Sequence, residues 1–117
     1  MLDIKLIVRA LTELSDLSYQ ERVWLRENPM SHEMSSLEET GAKLFNDSGL
    51  DVALEHEHVV FALSLDEKLR RLRNDLRDVY YRVHTKAELH SHRMDTIRQN
   101  AAEVLNELRK NLASGTP

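Results

Sequence analysis

Residues 79–94, VYYRVHTKAELHSHRM, hold three of the chain's six histidines together with Glu88 and two tyrosines. His84, Glu88 and His92 are spaced i, i+4, i+8. On an unbroken helix they follow one slowly turning face, and two imidazoles with a carboxylate form a donor set that zinc accepts. A metal site on a helix normally draws a further ligand from another element, and no second His or Glu pair of compelling spacing occurs elsewhere in the chain. Glu55, His56, Glu57 and His58 alternate, which puts both histidines on one face only in an extended segment. His90 falls at an apolar-seam position and its neighbours on a solvated flank. The stretch therefore reads as part of a helix, with no metal and no cofactor assigned.

Other chemistries have even less to work with. No G-x-S-x-G, HExxH, Walker or GxGxxG pattern is present, and three glycines are too few to build a phosphate-cradling loop. The absence of cysteine excludes thiolate ligands, thiol nucleophiles and disulfides. Carboxylate pairs such as Glu38-Glu39 arise by chance in a chain with 16 basic and 20 acidic residues. No catalytic residue is assigned, and the chain is not expected to be an enzyme. The run KLRRLRNDLRDVYYR carries Arg70, Arg71, Arg73, Arg77 and Arg82 beside Tyr80 and Tyr81, a combination found on nucleic-acid surfaces. Asp75 and Asp78 interrupt it, and Asp78 with Arg82 is an ordinary i, i+4 helix pair, so nucleic acid is not the expected partner. Trp24, five residues after Tyr19, suits either an exposed anchor or a core position; a lone Trp on an amphipathic helix favours the core.

The charge distribution is the most informative feature. Residues 1–31 hold four basic and five acidic side chains, residues 32–67 one basic and nine acidic, and residues 68–117 eleven basic and six acidic, giving block charges of -1, -8 and +5 and a total of -4. Such a chain either neutralises itself by folding one block on the other or presents its acidic block to a basic partner.

The elements that carry these groups are helical. Composition is 41% apolar and 31% charged with only three Gly and two Pro, a helical balance for an all-α chain. Ile4, Ile7, Val8, Leu11 and Leu14 form a one-sided stripe that predicts a first helix ending near Ser15-Asp16. Ser18 with Glu21 is a capping box that predicts a second helix carrying Tyr19, Val23 and Trp24 and stopping before Asn28-Pro29. Ser36 with Glu39 predicts a third helix with Leu37, Leu44 and Phe45 on its apolar side, and Gly49 suits a left-handed cap. Residues 50–55 read as a further helical turn and Val59-Val60-Phe61 as an extended connector.

From Ser64 with Glu67, another capping box, no Gly or Pro occurs until Gly115. Apolar positions run Leu65, Leu69, Leu72, Leu76, Val79, Val83, then Ala87, His90, Met94, Ile97, Ala101, Val104, Leu108, and the 3–4 alternation slips at Val83. One helix over 65–112 would be about 70 Å long, against the roughly 30 Å of a compact domain. Thr85 with Glu88 makes a capping box at the slip. The expectation is a compact bundle of about five helices, the last two (about 65–84 and 86–112) long and antiparallel, or else one bent long helix. At 117 residues the chain forms one helical domain. Asp3, Lys5 and Arg9 interrupt the apolar start, so neither a secretory signal nor a membrane span is expected, and the location expected is the cytoplasm.

Tyr19-Gln20, Val23-Trp24, Leu44-Phe45, Asp47-Ser48-Gly49-Leu50 and the leucines Leu69, Leu72 and Leu76 together resemble a family of small uncharacterised bacterial helical proteins, over about residues 5–83, and relative to that pattern 84–117 is a candidate C-terminal helical extension. No catalytic residue comes with that resemblance. Its size, acidity and helical make-up are similar to those of immunity proteins of toxin and contact-dependent growth inhibition systems. The resemblance implies a protein partner, a toxin domain such as a basic nuclease, covered by the acidic block between Glu33 and Glu67. The candidate contact residues are Glu38, Glu39, Asp47, Asp51, Glu55 and Glu57. The alternative is a structural or regulatory protein that forms a homodimer through the 65–112 seam, with Leu69, Leu72, Leu76, Ile97, Val104 and Leu108 as contacts.

Overall fold

Asp3 opens the first helix: its Oδ1 accepts the Leu6 N–H at 3.0 Å, satisfying one of the donors a helix start leaves without an internal partner. The computed structural model describes residues 2–24, 36–79 and 86–114. Helix α1, Ile4–Ser15, buries Ile7, Ala10, Leu11 and Leu14, so the apolar stripe is its core face. It ends at Asp16, whose extended backbone breaks the helix while its carboxylate accepts the Tyr19 N–H at 3.1 Å and so caps α2, Leu17–Tyr19. The cap is thus Asp16 and not Ser18, which sits exposed inside the helix. Asp16 stands three residues before Tyr19, the same reach as Ser18 to Glu21, and it is next to the end of α1, so the connection shrinks to one residue. The chain continues into a π-helical segment, Gln20–Trp24, with Gln20 and Val23 buried and Trp24 packed against the core. The expected stop before Asn28-Pro29 lies outside the described residues.

Ser36 caps α3, Leu37–Ala42, by accepting the Glu39 N–H at 3.1 Å. A second π-helical segment, Lys43–Asp47, prolongs α3 and buries Leu44 and Phe45. Gly49 takes φ 81°, a left-handed value that any side chain would penalise, and turns the chain into α4, Leu50–His56. Residues 57–62 form the non-helical connector expected around Val59-Val60-Phe61. Helix α5, Leu63–Val79, starts one residue before Ser64, so the Ser64–Glu67 capping box does not form. Asp66 takes its place: buried in the first turn, its two carboxylate oxygens accept the Val60 and Phe61 N–H groups at 2.8 and 3.1 Å. A carboxylate at a helix N-terminus also meets the positive end of the helix dipole.

Thr85 and the phase slip lie outside the described residues, but a further break follows. Helix α6, Lys86–Leu89, ends at a turn through His90 and Ser91, and Ser91 Oγ caps α7, His92–Ser114, by accepting the Met94 N–H at 3.3 Å. This turn corrects the seam assignment. Ala87 and His90 are exposed, and Leu89 fills the buried position between them, because the break offsets the two helical periods. Beyond it the seam holds: Met94, Ile97, Ala101, Val104 and Leu108 are all buried.

Among the described residues there are therefore seven α-helices, two more than about five, the surplus coming from the three-residue α2 and the four-residue α6. Helix α7 lies against α1 and α5. Lys68 Nζ meets Glu103 at 2.8 Å and also Glu107, while Asp75, later in α5, lies with His92, Thr96 and Ile97 early in α7, so the two helices run antiparallel. One apolar cluster runs from Ile7 to Leu108; α7, within the stretch set apart in sequence as an extension, supplies six of its side chains. Leu69, Leu72, Leu76, Ile97, Val104 and Leu108, the contacts named for a homodimer, are each 1% exposed or less and are used inside this core. The molecule measures 46 × 27 × 22 Å, well short of the length of an unbroken 65–112 helix.

A buried polar network joins the ends of three helices. Gln20 Nε2 donates to the Glu13 and Leu14 carbonyls at 3.0 and 2.7 Å where α1 stops; the Glu13 carbonyl also accepts the Asp16 N–H at 3.3 Å. Gln20 Oε1 accepts from Arg98 Nη1 at 3.1 Å, and the same guanidinium donates to the Leu89 carbonyl at the end of α6 and to Asp95. Removing either partner leaves desolvated polar groups behind. Arg98→Met is expected to lower unfolding free energy by about 2–4 kcal/mol, and Gln20→Leu by about 1–3 kcal/mol. In urea titrations the double variant should lose less than the sum of the two; strict additivity would show that the groups do not act together. The pair of carboxylates around Lys68 gives a pH signature. The hydrogen bonds that Lys68 donates to Glu103, then to Glu107, hold its ammonium above the ordinary value of 10.5. Its stabilising contribution is complete below that value and is lost as pH rises through the raised one. Stability should therefore fall more steeply above pH 10.5 in the wild type than in Lys68→Met.

Candidate functional site

The acidic block folds as α3, the second π segment, α4 and the connector. Glu38 and Glu39 occupy the first turn of α3, where the helix dipole favours them. Asp47 closes the π segment, roughly 13 Å along the same helical axis at 1.5 Å per residue. Asp51 and Glu55 stand one turn apart on α4, and Glu57 follows its last residue. The six candidate residues thus form two groups, one at the start of α3 and one from the end of the π segment through α4.

The two groups differ from a single uniform patch in one further respect. Asp51 is held by Arg73 of α5, with Oδ1 2.5 Å from Nη1 and both side chains mostly buried. It is a tie between helices and not a free contact residue. Arg70 makes a parallel tie, donating to the Leu54 carbonyl at 2.9 Å. Glu38, Glu39, Asp47, Glu55 and Glu57 form no ion pair or side-chain hydrogen bond among the described residues; Glu38 is half-buried and the other four are exposed. Lys43, the one basic residue of 32–67, points away from them, reaching Glu13 of α1 at 3.4 Å. Glu13 is itself buried and also accepts from Tyr19 Oη at 3.2 Å. With its single cation turned inward, the outer surface of this block is more acidic than its sequence.

Of the histidine-rich stretch, Glu88 and His92 do not share one helix. His84 lies outside the described residues, Glu88 is on α6 and exposed His92 opens α7, with the His90-Ser91 turn between them. Among the described residues no group of three His, Asp or Glu is placed to hold a metal ion. His90 Nε2 instead meets Glu21 Oε1 at 2.5 Å, docking the end of α6 on the first π segment. Of the basic run, Arg70 and Arg73 turn toward α4, Arg71 and Arg77 are exposed, and Tyr80, Tyr81 and Arg82 lie outside the described residues. Arg71 lines a cavity of about 150 Å³ between α5 and α7 with Lys68, Asn100, Glu103 and Val104. Its other cation, Lys68, is already matched by two glutamates.

Sequence reasoning missed Gln20, Arg98 and Asp66, the polar groups that fix where these helices begin and end. A signal existed only for Asp66, an acidic residue in a first helical turn. No helix among the described residues is long and apolar enough to cross a membrane. The split between tied and free carboxylates sets an expectation for stability. Asp51→Ala should cost about 1–3 kcal/mol by stranding Arg73, whereas Glu55→Gln and Glu57→Gln should each stay within about 0.5 kcal/mol in denaturant unfolding. Equal losses at all three positions would mean that the surface carboxylates are also structural. No protein-family model, curated protein or solved structure matches this chain, so its own surface is the guide to its function.

Proposed function

We propose that this chain is an immunity-type binding protein that neutralises a cognate toxin domain by covering it with the acidic surface of α3, the second π segment and α4. One observation carries the reading: five of the six candidate carboxylates are unpaired among the described residues, while Lys43, the only base in their block, is engaged by α1. The alternative fate of such a block, neutralisation by the arginines of the later helices, is realised at Asp51 alone among the six candidates. An acidic face of this kind suits a partner with a basic cleft, such as a nuclease domain, because complementary potentials accelerate encounter and select against acidic competitors. The proposed chemistry is occlusion: the partner's cleft is covered and no bond is made or broken.

Affinity capture from the native cell, followed by identification and activity assay of what is captured, tests this. The expected catch is a basic protein whose toxic or nuclease activity is suppressed by stoichiometric addition of the chain. Its association rate should fall by about tenfold or more between low and high salt. Reversing Glu38, Glu39, Asp47, Glu55 and Glu57 to Lys should abolish capture while the helical circular dichroism persists. A complex indifferent to salt and to that reversal would overturn the reading.

A further inference from the structure

Four large apolar side chains are exposed among the described residues, and three of them lie within the acidic block: Val52 at 63%, Val59 at 39% and Leu63 at 64%. Helix geometry explains the placement. On α4, Leu50, Ala53 and Leu54 face the core, so Val52, Glu55 and His56, related by steps of three and four, share the opposite face. On α5, Leu65, Asp66 and Leu69 face inward, so Leu63 and Glu67 share the outer face of the first turn. Between the helices the connector exposes Glu57, His58 and Val59. Three polar ties fix this hairpin: Asp51 with Arg73, Leu54 with Arg70, and the Asp66 carboxylate with the N–H groups of Val60 and Phe61. The apolar groups are therefore displayed on a braced scaffold and not on a loose loop.

Apolar groups set within a charged rim are how protein interfaces are built, with burial at the centre supplying affinity and the rim supplying rate and selectivity. Resting on the acidic-surface reading above, we infer that the outer edge of the α4–connector–α5 hairpin is the docking surface for a basic amphipathic segment of the partner protein. Val52, Val59 and Leu63 anchor its apolar row, and Glu55, Glu57 and Glu67 meet its flanking lysines and arginines. Charge complementarity selects this occupant, since a neutral apolar segment would leave the carboxylates unpaired and an acidic one would be repelled. A second copy of the chain fits poorly. Paired with itself, the patch would set Glu55, Glu57 and Glu67 against their own copies, and paired head to tail it would meet Leu112 of α7, one exposed apolar side chain against three.

The test uses the full chain and two synthetic helical peptides, one with a leucine row flanked by lysine and arginine and one with those leucines replaced by serine. The leucine peptide should perturb the nuclear magnetic resonance signals of Val52, Val59 and Leu63 and bind about tenfold or more tightly than the serine peptide, with the preference lost in a Val52→Ser, Leu63→Ser variant. Equal binding of both peptides through the carboxylates would overturn the apolar anchor and leave the acidic-surface reading standing. Binding that ignores salt, or no binding of either peptide, would overturn both. Sedimentation showing self-association that Leu112→Glu abolishes would assign the surface to a second copy and overturn the inference.

Discussion

The hydrogen-bond network centred on Gln20 and Arg98 is the constraint on which the rest of the structure depends. A helix that stops inside a protein leaves carbonyls with no internal donor, and burying them unpaired costs more than the surrounding apolar contacts easily offset. Here α1 stops with Glu13 and Leu14 facing the core, and α6 stops with Leu89 facing it. One amide and one guanidinium, 78 residues apart in sequence, donate to all three carbonyls and bond each other, with the Asp16 N–H also reaching the Glu13 carbonyl. The short helices α2 and α6 can exist because this network, with His90 against Glu21, seals the side of the bundle where they meet.

The same economy governs the charges. Lys68, Arg73 and Lys43 each brace one helix against another, and the carboxylates that receive them are those at helix contacts: Glu103 and Glu107, Asp51, and Glu13. The acids of α3 and α4 that lie away from such contacts have no base in reach among the described residues. Folding thus uses opposite charges where helices touch and leaves the excess of one sign on a separate surface. That surface also carries the apolar side chains that the inward faces of α4 and α5 do not accommodate.

How much of this was legible depended on the range of the interaction. The stripe of α1, the Ser36 cap, the left-handed Gly49 and the seam from Met94 to Leu108 are set by neighbours within a turn or two, and they stand where the spacing put them. The Ser18 cap failed because Asp16 stood directly before the true start of α2, and the Ser64 cap failed because α5 already begins at Leu63, leaving Asp66 to hold the connector from within the first turn. The burial of Leu89 in place of His90 followed from a turn whose one sequence mark is Ser91, a cap without a matching Glu or Gln three residues on. Of the candidate site, residue type marked all six acids alike, and only Asp51 proved to be tied.

The sequence by itself determined that the chain is all-α, where most of its apolar faces lie and that its charge is divided into an acidic middle and a basic end, because periodicity and composition are local properties of the covalent chain. Only the tertiary structure decided which polar groups are buried, that α7 joins α1 and α5 in one core, and which acids stay free. Those outcomes depend on pairs such as Gln20 with Arg98 or Asp51 with Arg73, brought together only when distant helices pack and water is excluded between them.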